Sequence, residues 1–168
     1  VGRQQFYIDH PWFLDFGEEL PVSKEQVTDP YPLYWNTPHG RWSIHSTWRD
    51  NRYMLRLQRG MPIVYLNPED AAARGIRDND RVRIYNHIGF CIVPAKILPG
   101  EQRGRVTMYH GWEKFLGFQK GGWQSLTYIK IKPTQLIGKY GHVNFRLNYW
   151  GPTGNNRDVK DEVEKAKI

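Results

Sequence analysis

Cysteine is almost missing: Cys91 is the one thiol in 168 residues. An internal disulfide, a thiolate zinc site and a four-thiolate iron–sulfur cluster within this chain are therefore excluded. One Cys does not separate an oxidising compartment from a reducing one, so cytoplasmic and exported locations both stay open. Long apolar runs are missing as well. None approaches the roughly 20 residues that cross a bilayer as a helix, and no direct membrane insertion is expected. The opening Val1-Gly2-Arg3 has no initiator Met and no basic-then-apolar leader, and it reads as the middle of a longer polypeptide. Basic residues are in excess, 24 Lys and Arg against 17 Asp and Glu for a formal charge of +7, yet they form no block. That balance favours an anionic partner without pointing to nucleic acid. Also absent are the G-x-S-x-G elbow, the H-E-x-x-H zinc helix, the G-x-x-x-x-G-K-[ST] phosphate loop and a G-x-G-x-x-G after a strand. No catalytic residue is assigned. The acidic pair Asp78 and Asp80 lies in a turn, where solvation and turn hydrogen bonds account for it.

What the chain does have is aromatic surface, with 7 Trp, 10 Tyr and 7 Phe. A single domain of this length has difficulty burying so much ring area, so part of it is expected to meet another protein surface. The elements are short. Strands are expected at Gln5–Ile8, Tyr31–Trp35, Ile63–Leu66, Arg81–Tyr85, Phe90–Ile97, Arg105–Tyr109, Leu126–Ile131 and His142–Leu147. A short helix over Tyr53–Gln58 is stopped by Gly60. A second follows Asn67 as N-cap with Pro68 at its first position, and Gly75 supplies a left-handed stop. Residues 39–52 are too polar for a core strand and read as a loop with a function. Together these describe a mainly β domain over residues 1–158, a compact barrel with loops gathered at one end, opened by a segment 1–30. Residues 159–168 read as a charged C-terminal tail, frayed or helical.

The segment Pro68 to Gly89, P-E-D-A-A-A-R-G-I-R-D-N-D-R-V-R-I-Y-N-H-I-G, resembles the hallmark stretch of the C-terminal domain in the dimethyl sulfoxide reductase family of molybdopterin enzymes. Flanking motifs are similar to the nitrate reductase and nitrite oxidoreductase branch of that family. They are G-R-Q-Q-F-Y-I-D-H at 2–10, D-F-G-E at 15–18, R-W-S-I-H-S-T at 41–47, K-P-T-Q-L-I-G-K-Y-G-H at 132–142 and N-Y-W-G-P-T-G-N-N-R-D at 148–158. The resemblance implies a six-stranded double-psi β-barrel with short helices and long loops. It implies binding of molybdopterin guanine dinucleotide, in the bis form on one molybdenum held by the parent enzyme. It further implies that the chain is part of a molybdenum oxidoreductase catalytic subunit and not catalytic alone. Its partners would be the remaining domains of that subunit and an iron–sulfur electron-transfer subunit.

On this reading the loop from Thr37 to Thr47 is the leading cofactor contact. Thr37, Ser46 and Thr47 can donate hydroxyl hydrogen bonds to phosphate, and Arg41 can make a forked, charge-assisted pair. His39 belongs to the same loop, and His45 can donate to a phosphate or pterin acceptor through one ring nitrogen. His39 and His45 lie six apart, with Pro38 and Gly40 against a helix, which argues against metal ligation. Gln124, in Gly121–Thr127, stands where relatives usually place Asn, so the amide contact survives one methylene further out. His110, Asn156 and Arg157 lie on expected loop ends. Asn156 and Arg157 could meet the guanosine end or bond across a subunit boundary. Two rival readings stay open: a free-standing, non-catalytic cofactor- or partner-binding barrel, and a basic nucleic-acid-binding barrel.

Overall fold

The fold is taken from a computed structural model, which describes residues 2, 6–17, 19–20, 30–127 and 159–167. The chain divides into two compact units, Val1–Val27 with Tyr128–Asn156, and Thr28–Thr127 with Arg157–Ile168. In the first unit the described element is helix α1, Pro11–Asp15. His10 caps it, its ring Nδ1 accepting a hydrogen bond from the Trp12 amide at 3.2 Å, and Pro11 pre-sets the first turn. Of the strand expected at Gln5–Ile8, Gln5 lies outside the described residues and 6–8 form no strand. The Ile8 amide donates to the Glu19 carbonyl, one bond and not a ladder.

The second unit is the barrel. Its elements in order are β1 (Leu33–Asn36), α2 (Arg52–Leu57), β2 (Val64–Leu66), α3 (Pro68–Ala72), β3 (Arg81–Tyr85), β4 (Phe90–Ile97), β5 (Arg105–Thr107), a 3-10 turn (Trp123–Leu126) and β6 (Lys160–Lys165). Six strands close in the order β1-β5-β2-β4-β3-β6. The pairs β1–β5 and β2–β4 are parallel and the other four antiparallel, the double-psi arrangement the resemblance implies. The hairpin β3–β4 has the register Val82↔Val93 and Ile84↔Cys91. These four side chains and Ala95 point inward and are buried, while Arg81, Arg83 and Tyr85 alternate outward. Leu33, Trp35, Val64, Leu66, Val106, Met108 and Leu126 also lie in the core.

Helix α3 forms as its sequence dictates. The Asn67 side chain accepts from the Glu69 amide at 2.8 Å, and Gly75 at φ +62° lets the Ile76 amide return to the Ala71 carbonyl at 2.9 Å. The reading of residues 159–168 as a frayed or helical tail is corrected. Residues 160–165 are strand β6, which pairs β1 on one side and β3 on the other and closes the barrel. Asp161 and Val163 face inward and are buried, while Lys160, Glu162 and Glu164 face outward. The charges disguise a period of two. Of the strands expected at 126–131 and 142–147, Leu126 belongs to the 3-10 turn, and residues 128–131 and 142–147 lie outside the described residues.

The pairing directions decide where the loops go. Strands β1, β3 and β5 run one way, and β2, β4 and β6 run the other. The connections 37–63 and 86–89, and the segment that follows β5, therefore gather at one end. Residues 67–80 and 98–104 occupy the opposite end, so the stretch that carries the resemblance is mostly scaffold.

Candidate functional site

Strands β1 and β5 lie side by side and parallel, so the chain leaves both at the same end of the barrel. Their ladder continues beyond the strands, with the Met108 amide donating to the Asn36 carbonyl at 3.0 Å and the His110 amide to the Pro38 carbonyl at 3.1 Å. This places His110 against the loop that carries His39 and His45. The three rings cluster with centroids 5.1 Å (His39–His45), 4.4 Å (His39–His110) and 5.0 Å (His45–His110) apart. Their ligand-capable nitrogens lie within 4.8 Å of one another. His110 is buried; His39 and His45 are exposed. Burial holds the His110 imidazole below its ordinary value, and His39, His45 and the Arg49 cation push it the same way.

Backbone geometry supports this convergence. A side chain at Gly111, where φ is +85°, would bring its Cβ to 2.2 Å from the His45 carbonyl oxygen. Only glycine lets the two loops approach so closely. His45 and Trp48 sit at φ +50° and +69°, a left-handed conformation uncommon for such residues and one that costs energy to hold.

Two recesses flank this loop and share Gly40, Arg41 and Trp42. One, of about 220 Å³, also has Tyr65, Tyr109 and Trp112 in its wall. The other, of about 360 Å³, adds His39, Ile44 and Trp48. The Arg41 guanidinium lies 4.9 Å over the Trp42 ring. Ser46 and Thr47 are exposed in turns where the Thr47 amide donates to the Ile44 carbonyl and the Arg49 amide to the Ser46 carbonyl. Thr37 is half-buried at the base of the loop.

The structure thus brings together His39, His45 and His110, with Arg41 in the adjoining recesses. Gln124 sits exposed in the 3-10 turn, and it is its neighbour Trp123 that reaches the cluster, ring centre 5.8 Å from that of His110. Asn156 and Arg157 lie outside the described residues. Sequence reasoning missed Arg49, Gln58 and Trp112. Arg49 is buried, with Nη2 donating to the His110 carbonyl at 3.0 Å, Nη1 donating to Gln58 Oε1, and its guanidinium 3.7 Å over the Trp112 ring. The available signal was Trp112, two residues beyond His110, but nothing in the sequence pairs it with Arg49.

Residues 33–144 match the family described as "Molydopterin dinucleotide binding domain". The chain belongs to that family. It is 51% identical to the respiratory nitrate reductase subunit alpha of Haloferax mediterranei, a match that covers 99% of this chain and 18% of that protein. It is 50% identical to the perchlorate reductase subunit alpha of Dechloromonas aromatica, over 98% of this chain and 18% of that protein. With the respiratory nitrate reductase 1 alpha chain of Escherichia coli K12 it shares 38% identity, over 99% and 15%. The chain therefore spans less than a fifth of the length of these relatives. Acetylene hydratase from Pelobacter acetylenicus has the same fold, with TM-score 0.59 at 16% identity over 92% of this chain and 22% of that one.

A molybdopterin dinucleotide, the family's ligand, presents phosphate oxygens and flat heterocycles. The donors of the site suit it. The Arg41 guanidinium lines both recesses and the His39 imidazole one of them, with no Asp or Glu among the described residues of their walls. Trp and Tyr rings stand beside them, and one buried guanidinium nitrogen, Arg49 Nε, has no acceptor among the described residues. The residues of this molybdopterin-dinucleotide-binding domain fit the group.

Proposed function

We propose that this domain clamps molybdopterin guanine dinucleotide, in the bis form, as part of the catalytic subunit of a nitrate reductase-like molybdenum oxidoreductase. The convergence of His39, His45 and His110 from two parallel strands, beside Arg41, carries this reading. When bound, the metal and pterins supply oxygen-atom transfer coupled to electron transfer. The chain's own residues bind and orient. Arg41, exposed and free to fork, meets pyrophosphate oxygens. His39, His45 and His110 offer ring nitrogens for hydrogen bonds to phosphate or pterin. Ser46 and Thr47 add hydroxyl donors, Thr37 does so from the loop base, and Gln124 offers its amide at the rim. Asn156 and Arg157 remain proposed contacts to the guanosine end.

The relatives include nitrate, perchlorate and chlorate reductases and a dimethylsulfide dehydrogenase, so reduction of a small oxoanion is the parent reaction we favour. Nitrate reduction leads, and nitrite oxidation is the same interconversion reversed. Electrons would pass through an iron–sulfur subunit, and the remaining domains of the catalytic subunit would cover this barrel's aromatic end. A free-standing module is disfavoured, because in these relatives the matched stretch is only 15 to 19% of a longer polypeptide. Arg41→Ala and His45→Ala in the full-length parent should lower molybdenum and guanine per polypeptide. Normal content of both in the two variants would rule the reading out.

A further inference from the structure

We propose that Arg49 is the positioning residue of the histidine cluster, a buried cation that locks the loop after β1 to the loop after β5 and places uncompensated positive charge beneath the bound anion. This rests on the reading that the site takes a molybdopterin dinucleotide.

Arg49 is 2% exposed, yet every acceptor it meets among the described residues is neutral. Nη2 donates to the His110 carbonyl at 3.0 Å and Nη1 to Gln58 Oε1, while the guanidinium plane covers Trp112 at 3.7 Å. Gln58 is itself oriented, its Nε2 donating to the Met54 carbonyl at 3.3 Å and its Oε1 also accepting from Ser43 Oγ at 3.4 Å. The contacts therefore run from α2 through Gln58 and Arg49 to the His110 backbone, across three segments of the site. No carboxylate pairs with Arg49 among the described residues. Burial lowers its pKa to about 10, so the group remains a cation at neutral pH.

A buried charge without a counter-charge is destabilising, and a well-packed apolar residue would fill the same space without that penalty. What the cation adds is electrostatics. It favours an anion at the mouth of the cluster and disfavours a dication. The histidine nitrogens, spread up to 4.8 Å apart against the roughly 3.3 Å of ligands sharing a tetrahedral ion, also suit hydrogen bonding better than a metal. Among the described residues, the groups that face the His110 ring are His39 and His45, the Arg49 cation and the Trp123 ring. Burial and the two neighbouring histidines hold the His110 imidazole below its ordinary value, and the Arg49 cation adds to that effect.

The test is Arg49→Lys, Arg49→Gln and Arg49→Met in the full-length parent protein, with correct folding checked by limited proteolysis. Molybdenum and guanine per polypeptide, and the rate of dinucleotide release, are measured from pH 8 to pH 5. Gln and Met should release the dinucleotide on the order of tenfold faster, as expected when a charged group is lost, while Lys, which keeps the charge but not the forked contacts, falls between them and wild type. In Gln and Met the acid loss of cofactor should also begin at higher pH, and in Lys it should not. A purely structural defect would lower retention by one factor at every pH and would not be rescued by Lys. Lys as defective as Met, or a pH profile unmoved in all three, would overturn this proposal and leave the functional reading intact. A wild-type protein that holds no dinucleotide would sink both.

Discussion

Protonating a histidine that is buried against two other histidines and an arginine costs more than protonating one in solvent. His110 is in that position, its imidazole held low by burial first and then by His39, His45 and Arg49. The folded state thus binds the proton less tightly than the unfolded state does. The stability contributed by the neutral ring is fully present above the ordinary value of 6.5 and is lost as pH falls below it toward the folded value. Melting temperature followed from pH 7.5 to pH 5 should fall in the wild type and fall less in His110→Asn. Parallel slopes in the two proteins would show that other groups set the response. Asp78 and Asp80 do not confuse this window. Their carboxyls are held below the ordinary value of 3.8, Asp78 by the Lys96 ammonium and the Ile97 amide, Asp80 by the Arg77 amide and Lys165. Their contribution is present above about pH 3.8 and is lost only in more acidic solution.

Single elements show how far local chemistry reaches. Helix α3 is five residues long and cannot hold itself, so its cap matters. Asn67 accepts from the Glu69 amide and also donates through Nδ2 to the Glu101 carbonyl at 2.8 Å, which ties the helix start to the turn before β5. Asn67→Ala should cost about 1 kcal/mol or somewhat more, a few degrees in melting temperature, with Asn67→Asp in between because it keeps the cap acceptor. Equal melting temperatures for Asn67→Ala and wild type would show that Pro68 and Gly75 suffice. This cap, the Gly75 stop and the β3–β4 hairpin were legible in the sequence because each is written within a few consecutive residues. The site loop was legible in part, since Thr37, His39, Arg41 and His45 follow one another and His110 ends a readable strand. The Arg49–Trp112 contact was not, because it depends on which strands lie parallel. Strand β6 was hidden for another reason: five of its six residues are charged, and the inward position of Asp161 breaks the rule that alternation is apolar.

At the scale of the molecule, the two ends of the barrel do different work. One end holds α3 and the Asp78–Lys96 pair; the other holds the histidine cluster. Both depend on closure, and closure depends on β6, since without it β1 and β3 would be open edges. Asn86 adds a polar lock, its Nδ2 donating to Asp161 Oδ1 at 2.8 Å and to the Leu126 carbonyl at 2.7 Å, which joins the hairpin turn, β6 and the 3-10 turn. Val163 lies two residues along the same inward face as Asp161 and is 1% exposed. Val163→Asp would bury a second carboxylate near the first, at a cost of several kcal/mol, enough to open a marginally stable barrel. Glu164 faces outward and pairs with Arg83 at 2.9 Å, an exposed bridge worth at most about 1 kcal/mol. If β6 closes the barrel, Val163→Asp should give protease cleavage within 30–127 and loss of cofactor, and Glu164→Thr should give neither. Resistance to cleavage in Val163→Asp would mean that β1 and β3 hold without β6, and that the site does not depend on a closed barrel.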